Sequence, residues 1–258
     1  MTTRLAPVLL TSACILAGCD TSRIAAPTHE PAQFNAVANS PSFAESFDRG
    51  ALQSTGRLEV STAYSLEWEY YMLPDYSTGA AVFGGSDDGL RTYLRTTGTG
   101  YNDVDFVADM TVTVAGHGGV GIAFIGLGTG TTNECEFFCE PTGHPSVYVR
   151  IFPDDFAGGS AITDRTAEGY VWNVIQEGAN SGVGGSGTHR VRMSWQASTG
   201  EFSVAIHEDY QEGADFTATT TMTRTVDASA FAGNGRIFFG GAGNATFDNV
   251  RVTAMPRR

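Results

Sequence analysis

Residues 104–114, VDFVADMTVTV, carry the clearest structural signal in this chain. Every even position of the segment is apolar, and four of the five odd positions hold Asp or Thr. This alternation predicts a β-strand, because successive side chains of a strand point to opposite faces of its sheet. One face of the strand is expected to lie in a core, and the other to meet water or a ligand.

Similar alternating segments recur between glycine-rich breaks, and helical periodicity is nearly absent. They cover residues 66–71, 80–83, 90–95, 120–127, 146–152, 170–175, 189–195, 202–207, 236–239 and 246–252. About a dozen strands joined by Gly, Asn and Asp turns, without crossover helices, predict antiparallel sheets packed face to face. We therefore expect an all-β, two-sheet antiparallel jelly-roll sandwich.

The N-terminal residues have the pattern of an export signal: a basic start, a short apolar stretch and small residues. The segment Leu16-Ala17-Gly18-Cys19 resembles the bacterial lipobox. This resemblance implies a lipoprotein signal peptide at residues 1–18, an acylated Cys19, and an exported protein held at the cell envelope by lipid alone. The choice between inner and outer membrane stays open, and the alternative is an ordinary signal peptide cleaved near Gly18.

The remaining chain divides by composition. Residues 19–42 are rich in Pro, Ala, Thr and Ser and predict a flexible tether after the lipidated Cys. Residues 43–254 are expected to form one sandwich domain, and residues 255–258 a short tail. The formal net charge of −13 argues against nucleic acid and against a polybasic membrane surface patch, because both partners are anionic.

Four short motifs resemble the concanavalin A-like lectin/glucanase superfamily, and within it the laminin-G-like sandwich domains of secreted bacterial proteins. They are ESFDRGAL at residues 45–52, TVDASAF at 225–231, GRIFFGG at 235–241 and FDNVRV at 247–252. The resemblance implies paired first and last strands, ligand binding on the concave sheet face or the loop rim, and a structural Ca²⁺ ion. It marks a fold rather than an activity.

Polar and aromatic side chains on the predicted non-core faces are the candidates for glycan binding. Aromatic rings stack on sugars, and Arg binds carboxylates or sulfates bidentately, so an anionic polysaccharide is the expected partner. The candidates are Tyr93, Arg95, Tyr148, Arg150, Trp172, Arg192 and His207. The alternative is a solvated face on which each Arg pairs with a neighbouring acid. Trp195 is expected in the core.

Two further sites are predicted, one from a pair of aspartates near the ends of the domain and one from a pair of nearby cysteines in an exported protein. Asp48 and Asp248, near the two ends of the domain, are the candidate Ca²⁺ ligands if the terminal strands pair. Cys135 and Cys139 predict a local disulfide in an oxidising compartment. A metal site completed by His144 or His117 is the alternative for the two cysteines.

An enzyme and a protein-binding envelope module remain the rival functions. The Glu-x-Asp-x-x-Glu string of glucanases is absent, although Glu67 and Glu69 share a strand face. Residues 91–95, RTYLR, resemble the Arg-x-Glu-x-Arg strand of alginate lyases with Tyr93 in place of Glu, and His207 could move a proton. We expect a non-catalytic, lectin-like domain, with a polysaccharide lyase or glycosidase as the first alternative and a structural or adhesive module as the second.

Overall fold

The computed structural model describes residues 42–54, 56–62, 73–84, 92–114, 121–129, 145–152, 161–166, 174–175 and 186–255. All of them belong to one unit of the chain, Pro31–Arg258, and the other unit, Met1–Glu30, lies outside them. Within these ranges no helix has the length and apolar character needed to cross a lipid bilayer.

The described chain is built from β-strands. In order they are β1 (Phe43–Glu45), β2 (Leu58–Thr62), β3 (Ala81–Phe83), β4 (Thr92–Thr96), β5 (Asp105–Val114), β6 (Ile122–Gly128), β7 (Ser146–Ile151), β8 (Ala161–Arg165), β9 (Val174–Ile175), β10 (Gly187–Gln196), β11 (Glu201–His207), β12 (Thr220–Thr225), β13 (Arg236–Ala242) and β14 (Ala245–Met255). Two short 3-10 helices, Tyr101–Asp103 and Ala228–Phe231, lie between strands.

These strands form two antiparallel sheets. The first sheet has the order β1-β14-β5-β10-β11-β12, with β3 also paired to β14, and the second has the order β2-β4-β13-β6-β7-β8-β9. The first and last strands pair, with Phe43 opposite Val252. The predicted all-β, two-sheet antiparallel sandwich is confirmed.

The main core lies between the two sheets. On β5 the even-numbered residues from Phe106 to Val114 are buried, as the alternation predicts. Trp195 on β10 is 1% exposed, and its indole N–H donates to the Asn102 carbonyl oxygen at 3.0 Å. Its predicted place in the core is confirmed. Burial of each large apolar side chain contributes about 1.5–3 kcal/mol to folding.

A second apolar cluster lies on the opposite face of the second sheet. It consists of Tyr93, Ile122, Phe124, Tyr148, Phe152 and Phe238. Two glycines make room for its rings: a Cβ atom on Gly126 would collide with Tyr148, and one on Gly240 with the backbone of Tyr93. The second sheet is therefore buried on both faces across these strands.

This cluster corrects the predicted exposure of two candidate residues. Tyr93 and Tyr148 are both 0% exposed, so the expectation that they lie on an open sheet face is wrong. Alternation distinguishes the two faces of a strand, but it does not reveal that both faces are buried. The continuous burial of β6, with its sequence IAFIGLG, is typical of a strand covered on both sides.

Candidate functional site

The outer face of the first sheet carries a network of charged side chains. Arg190 and Arg192 on β10 both bind Asp109 on β5: Arg190 Nε lies 2.6 Å from Oδ1, and Arg192 Nη2 lies 2.8 Å from Oδ2. Asp109 is only 9% exposed. One carboxylate therefore holds two guanidinium groups, and the hydrogen bonds fix both Arg side chains in direction.

Aromatic rings from the segment after β11 cover these two guanidinium groups. Arg190 lies 5.4 Å from the ring centre of Tyr210, and Arg192 lies 4.1 Å from that of Phe216. The His207 ring contacts both rings edge to face, with centroids 5.5 Å from Tyr210 and 6.2 Å from Phe216. Such cation–π pairs each contribute about 0.5–1 kcal/mol at exposed sites. These five residues and Asp109 are called the outer-face cluster below.

A groove of about 980 Å³ adjoins the outer-face cluster. Its floor includes Thr111 on β5, and Thr188 and Arg190 on β10. Its walls come from residues 44–46 around the end of β1, from residues 209–213 after β11, and from residues 248–251 on β14. The volume falls within the range typical of small-molecule sites, and polar groups converge on it from these five segments of the chain.

A β-bulge shapes the β14 wall of the groove. The register with β5 shifts between Asp248 and Arg251, and Asn249 has a φ of 51°. Bulges redirect side chains and are enriched beside functional sites. Burial raises the pKa of the Asp248 carboxyl, the backbone hydrogen bond from Asn249 lowers it, and the charges of Asp48 and Glu212 raise it further.

The groove has an excess of negative charge. Its charged lining residues are four acids and two bases: Glu45, Asp209, Glu212, Asp248, Arg190 and Arg251. The Glu45 carboxylate is only 2% exposed and accepts the backbone N–H groups of Phe47 and Gln53 at 3.1 and 2.9 Å, so it also organises the chain after β1. Arg190 is already bonded to Asp109. The lining therefore favours neutral or cationic ligand groups over anionic ones.

The structure brings three of the sequence candidates to this region. Arg192 and His207 belong to the outer-face cluster, and Asp248 lines the groove. Asp48 is exposed and close enough for its charge to act on Asp248.

The other described candidates lie on the second sheet. The Arg95 Nε donates to the Glu59 carboxylate at 2.7 Å, and the Arg150 guanidinium lies 5.4 Å from the ring centre of Phe152. Tyr93 and Tyr148 are buried there. Arg95 pairs with Glu59, and Arg192 pairs with Asp109. Both pairs agree with the alternative interpretation of the sequence, in which each sheet arginine pairs with a neighbouring acid on a solvated face.

Several predictions fall on residues outside the described ranges. These are Cys19, Trp172, Cys135 and Cys139, together with Glu67, Glu69, Arg91, His117 and His144. The lipidation, the disulfide and its metal alternative, and the sugar-stacking role of Trp172 stay predictions.

The residues suggested for a lyase do not assemble into one site. His207 lies on the outer face of the first sheet, whereas Tyr93 and Arg95 lie on the second sheet. A lyase needs its carboxylate-neutralising group and its proton-transfer group on the same sugar unit, within hydrogen-bond reach. These three side chains cannot serve one reaction centre together.

Within the described ranges, no group of three or more His, Cys, Asp or Glu side chains is arranged to hold a metal ion. Asp48 and Asp248 both have local partners: Asp48 accepts the Ser46 hydroxyl at 2.7 Å, and Asp248 accepts the Asn249 backbone N–H at 2.6 Å. Two carboxylates alone supply fewer oxygens than the six to eight that Ca²⁺ takes. Calcium binding at this pair stays a prediction.

Sequence reasoning missed the segment after β11 as part of the site. Tyr210 and Phe216 stand among acidic and small residues in EDYQEGADFTAT, residues 208–219, where no alternation is present. Two aromatic residues in an otherwise polar segment were the available signal. The arginines on which they stack, Arg190 and Arg192, lie on β10, and the whole of β11 separates them from these rings in the chain. The sequence therefore does not reveal the stacking.

The fold is similar to that of legume lectins. The Lotus tetragonolobus seed lectin matches with a TM-score of 0.52 at 11% identity, over 84% of this chain and 99% of the lectin. The winged bean acidic lectin, solved in complex with methyl-α-D-galactose, matches with a TM-score of 0.51 at 10% identity, over 84% and 100% of the two chains. Lectin II from Ulex europaeus matches with a TM-score of 0.50 at 13% identity, over 83% and 97%.

These similarities define the fold class. The two-sheet sandwich is of the concanavalin A-like type found in the legume lectins. No protein-family model matches the chain, and no curated protein matches it by sequence. At identities of 10–13% the likeness concerns the fold alone.

Proposed function

We propose that this domain is a non-catalytic carbohydrate-binding module whose ligand lies in the groove on the outer face of the first sheet. The observation that carries the proposal is the groove of about 980 Å³ beside the outer-face cluster. Sugars are bound by fixed polar groups that converge on one site, and Arg190, held in direction by Asp109, lines the groove together with the carboxylates of Glu212 and Asp248. A fold shared with lectins, one of them solved with a galactoside, supports the same function.

The charge of the groove narrows the glycan class. The sequence alone favours an anionic polysaccharide, because the strands are rich in Arg. In the structure Arg190 and Arg192 are both bonded to Asp109, and the groove lining has four acids against two bases. We therefore propose a neutral or amine-bearing glycan, since a uronate or sulfate would meet net repulsion.

The test is a glycan-binding screen of the purified protein, with and without Ca²⁺, that includes neutral, amino-sugar and uronate-rich glycans. We expect Glu212→Gln to weaken binding of an amine-bearing glycan about three-fold to ten-fold, because Glu212 lines the groove and is exposed. Asp215→Asn is the matched control, since Asp215 is an exposed acid of the same segment that does not line the groove. A blank screen in both conditions would overturn the proposal.

The module is proposed to sit at the cell envelope, attached through acylated Cys19 and the segment that follows it. This rests on the lipobox-like sequence Leu16-Ala17-Gly18-Cys19. We expect Cys19→Ser to move the expressed protein from the membrane fraction to the soluble fraction, because a stable anchor needs the acyl chains. Cys14→Ser, five residues earlier, is the control and should leave the fractionation unchanged. Equal membrane association of both variants would contradict the anchor.

A further inference from the structure

The segment of residues 208–219, here called the groove loop, joins β11 to β12 and forms one wall of the groove. Its residues 209–213 line the groove directly. Residues 211–215 and 217–219 are exposed, so few apolar contacts hold the loop in place. The position of this wall must therefore depend on a small number of specific contacts.

The first half of the groove loop is held by Tyr210. Its backbone N–H donates to the Thr188 carbonyl oxygen at 2.8 Å. Its hydroxyl oxygen lies 3.0 Å from Arg190 Nη1 and accepts the Gly213 backbone N–H at 3.3 Å. The His207 ring packs edge to face on the Tyr210 ring, so the contact that holds the wall residues adjoins His207 directly.

The second half of the groove loop is held at Thr217 by His207 and at its end by the Thr219 backbone N–H, which donates to the Ile206 carbonyl oxygen at 2.8 Å. The Thr217 backbone N–H donates to His207 Nδ1 at 3.2 Å, and the Phe216 ring contacts both the His207 ring and the Arg192 guanidinium. A histidine nitrogen accepts a hydrogen bond only when it carries no proton. The observed contact therefore requires neutral His207 with its proton on Nε2.

Protonation of His207 would remove this contact and add a charge in an unfavourable place. The imidazolium would present an N–H group to the Thr217 N–H, so two donors would face each other. Arg190 is the direct cross-strand partner of His207 in the β10–β11 register, which puts a second positive charge beside it. Both effects destabilise the groove loop in its observed position.

The other charged and titratable groups around His207 come from each element packed near it. They are Arg190 and Arg192 of β10, Asp109 of β5, and Glu208, Asp209, Tyr210 and Asp215 of the groove loop. Asp109 is occupied by both guanidinium groups. Among the described residues, β12 brings only threonines, Thr220 and Thr221, to this end of the sheet.

We infer that His207 is a pH-sensitive latch on the groove loop: in its neutral form it holds the loop in the observed, closed position, as one wall of the groove, and on protonation it releases the loop. Because the His207–Thr217 hydrogen bond requires neutral His207, the observed loop position is favoured at higher pH and is lost when acidification protonates the imidazole. This regulation rests on the proposed function, since the released wall residues are those proposed to contact the glycan. Glycan binding should therefore weaken on acidification.

Hydrogen–deuterium exchange of the full chain tests the latch without any ligand. After correction for intrinsic rates, exchange in peptides covering residues 208–219 should rise about five-fold from about pH 7.5 to about pH 5.5, as expected for loss of one hydrogen bond. His207→Phe keeps a ring between Tyr210 and Phe216 but has no proton to gain. In this variant, loop exchange should be fast at both pH values. The protein has four other histidines, and any pH effect due to them persists in the variant.

The outcomes separate the latch from the proposed function. Equal loop exchange at the two pH values in the wild-type protein would overturn the latch, whether or not a glycan binds. A pH response that persists in His207→Phe would overturn the role of His207. If a glycan binds equally well at both pH values although loop exchange rises at low pH, the proposal that His207 regulates glycan binding is overturned. If no glycan binds at either pH, the proposed function fails, and the exchange data alone decide the latch.

Discussion

Asp109 and Arg192 lie directly opposite each other on β5 and β10, and the Arg192 guanidinium donates two hydrogen bonds to a single oxygen of the Asp109 carboxylate, at 3.0 and 2.8 Å. The other carboxylate oxygen accepts Arg190 Nε at 2.6 Å. A single carboxylate thus binds both β10 arginines, including Arg192, one of the residues that suggested an anionic ligand. This pairing also fixes the guanidinium planes on which Tyr210 and Phe216 stack.

Replacing Asp109 is expected to destabilise the domain. Asp109→Asn removes the negative charge and one of the two acceptor oxygens between two guanidinium groups, and solvent screens part of their repulsion because the Arg side chains are 32% and 42% exposed. We expect a loss of about 1–2 kcal/mol in the free energy of unfolding, measured by urea denaturation. Asp215→Asn, an exposed acid, should change stability by less than about 0.5 kcal/mol. Similar values for the two variants would contradict the bridging role.

The buried Tyr148 ring provides a test of the second apolar cluster. Its side chain is 0% exposed, and its hydroxyl has no hydrogen-bond partner among the described residues. Tyr148→Phe should therefore leave stability unchanged or raise it by up to about 1 kcal/mol. Tyr148→Ala should cost about 3–5 kcal/mol, because it leaves a cavity. Chemical denaturation of both variants measures these effects, and a large loss in Tyr148→Phe would show that the hydroxyl is bonded.

Asp248 should give stability a dependence on pH. Burial raises its pKa in the folded protein, so the folded state holds the proton more tightly than the unfolded state does. The stability contribution of Asp248 is then fully present below the ordinary carboxyl pKa of about 4 and is lost as pH rises through the folded-state pKa. Asp248→Asn should be more stable than the wild type at pH 7, with the difference shrinking toward pH 4. Parallel stability curves for the two proteins over this range would contradict the burial of the carboxylate.

Calcium addition tests the predicted role of Asp48 and Asp248. If these carboxylates bind Ca²⁺, the melting temperature should rise with Ca²⁺ concentration, since a ligand bound only by the folded state stabilises it. Asp48→Asn should abolish this rise, whereas Asp75→Asn, an exposed acid that bonds Ser77, should preserve it. A melting temperature that does not respond to Ca²⁺ in the wild-type protein would exclude calcium at this pair.

Much of the secondary structure is predictable from local patterns. The alternation in residues 104–114 corresponds to β5 (Asp105–Val114), and the segment 202–207 to β11. The same rule does not predict β2, β8 or β12. In β12, TTMTRT, only Met222 is buried, so there is no apolar series to detect. Edge strands of this kind are held by backbone pairing to their neighbour rather than by an apolar face.

The sequence by itself determined the all-β architecture, since period-two alternation and turn residues act over a few neighbouring positions. Only the tertiary structure decided which of the polar and aromatic residues are accessible. Tyr93 and Arg192 both stand on predicted outer faces, yet Tyr93 is buried in the second apolar cluster and Arg192 stacks on Phe216 at the outer face of the first sheet. The physical reason is that a site is built from contacts between distant segments: Arg190 meets Asp109, 81 residues earlier in the chain. A local sequence pattern does not show which distant residues pack against the outer face of a strand.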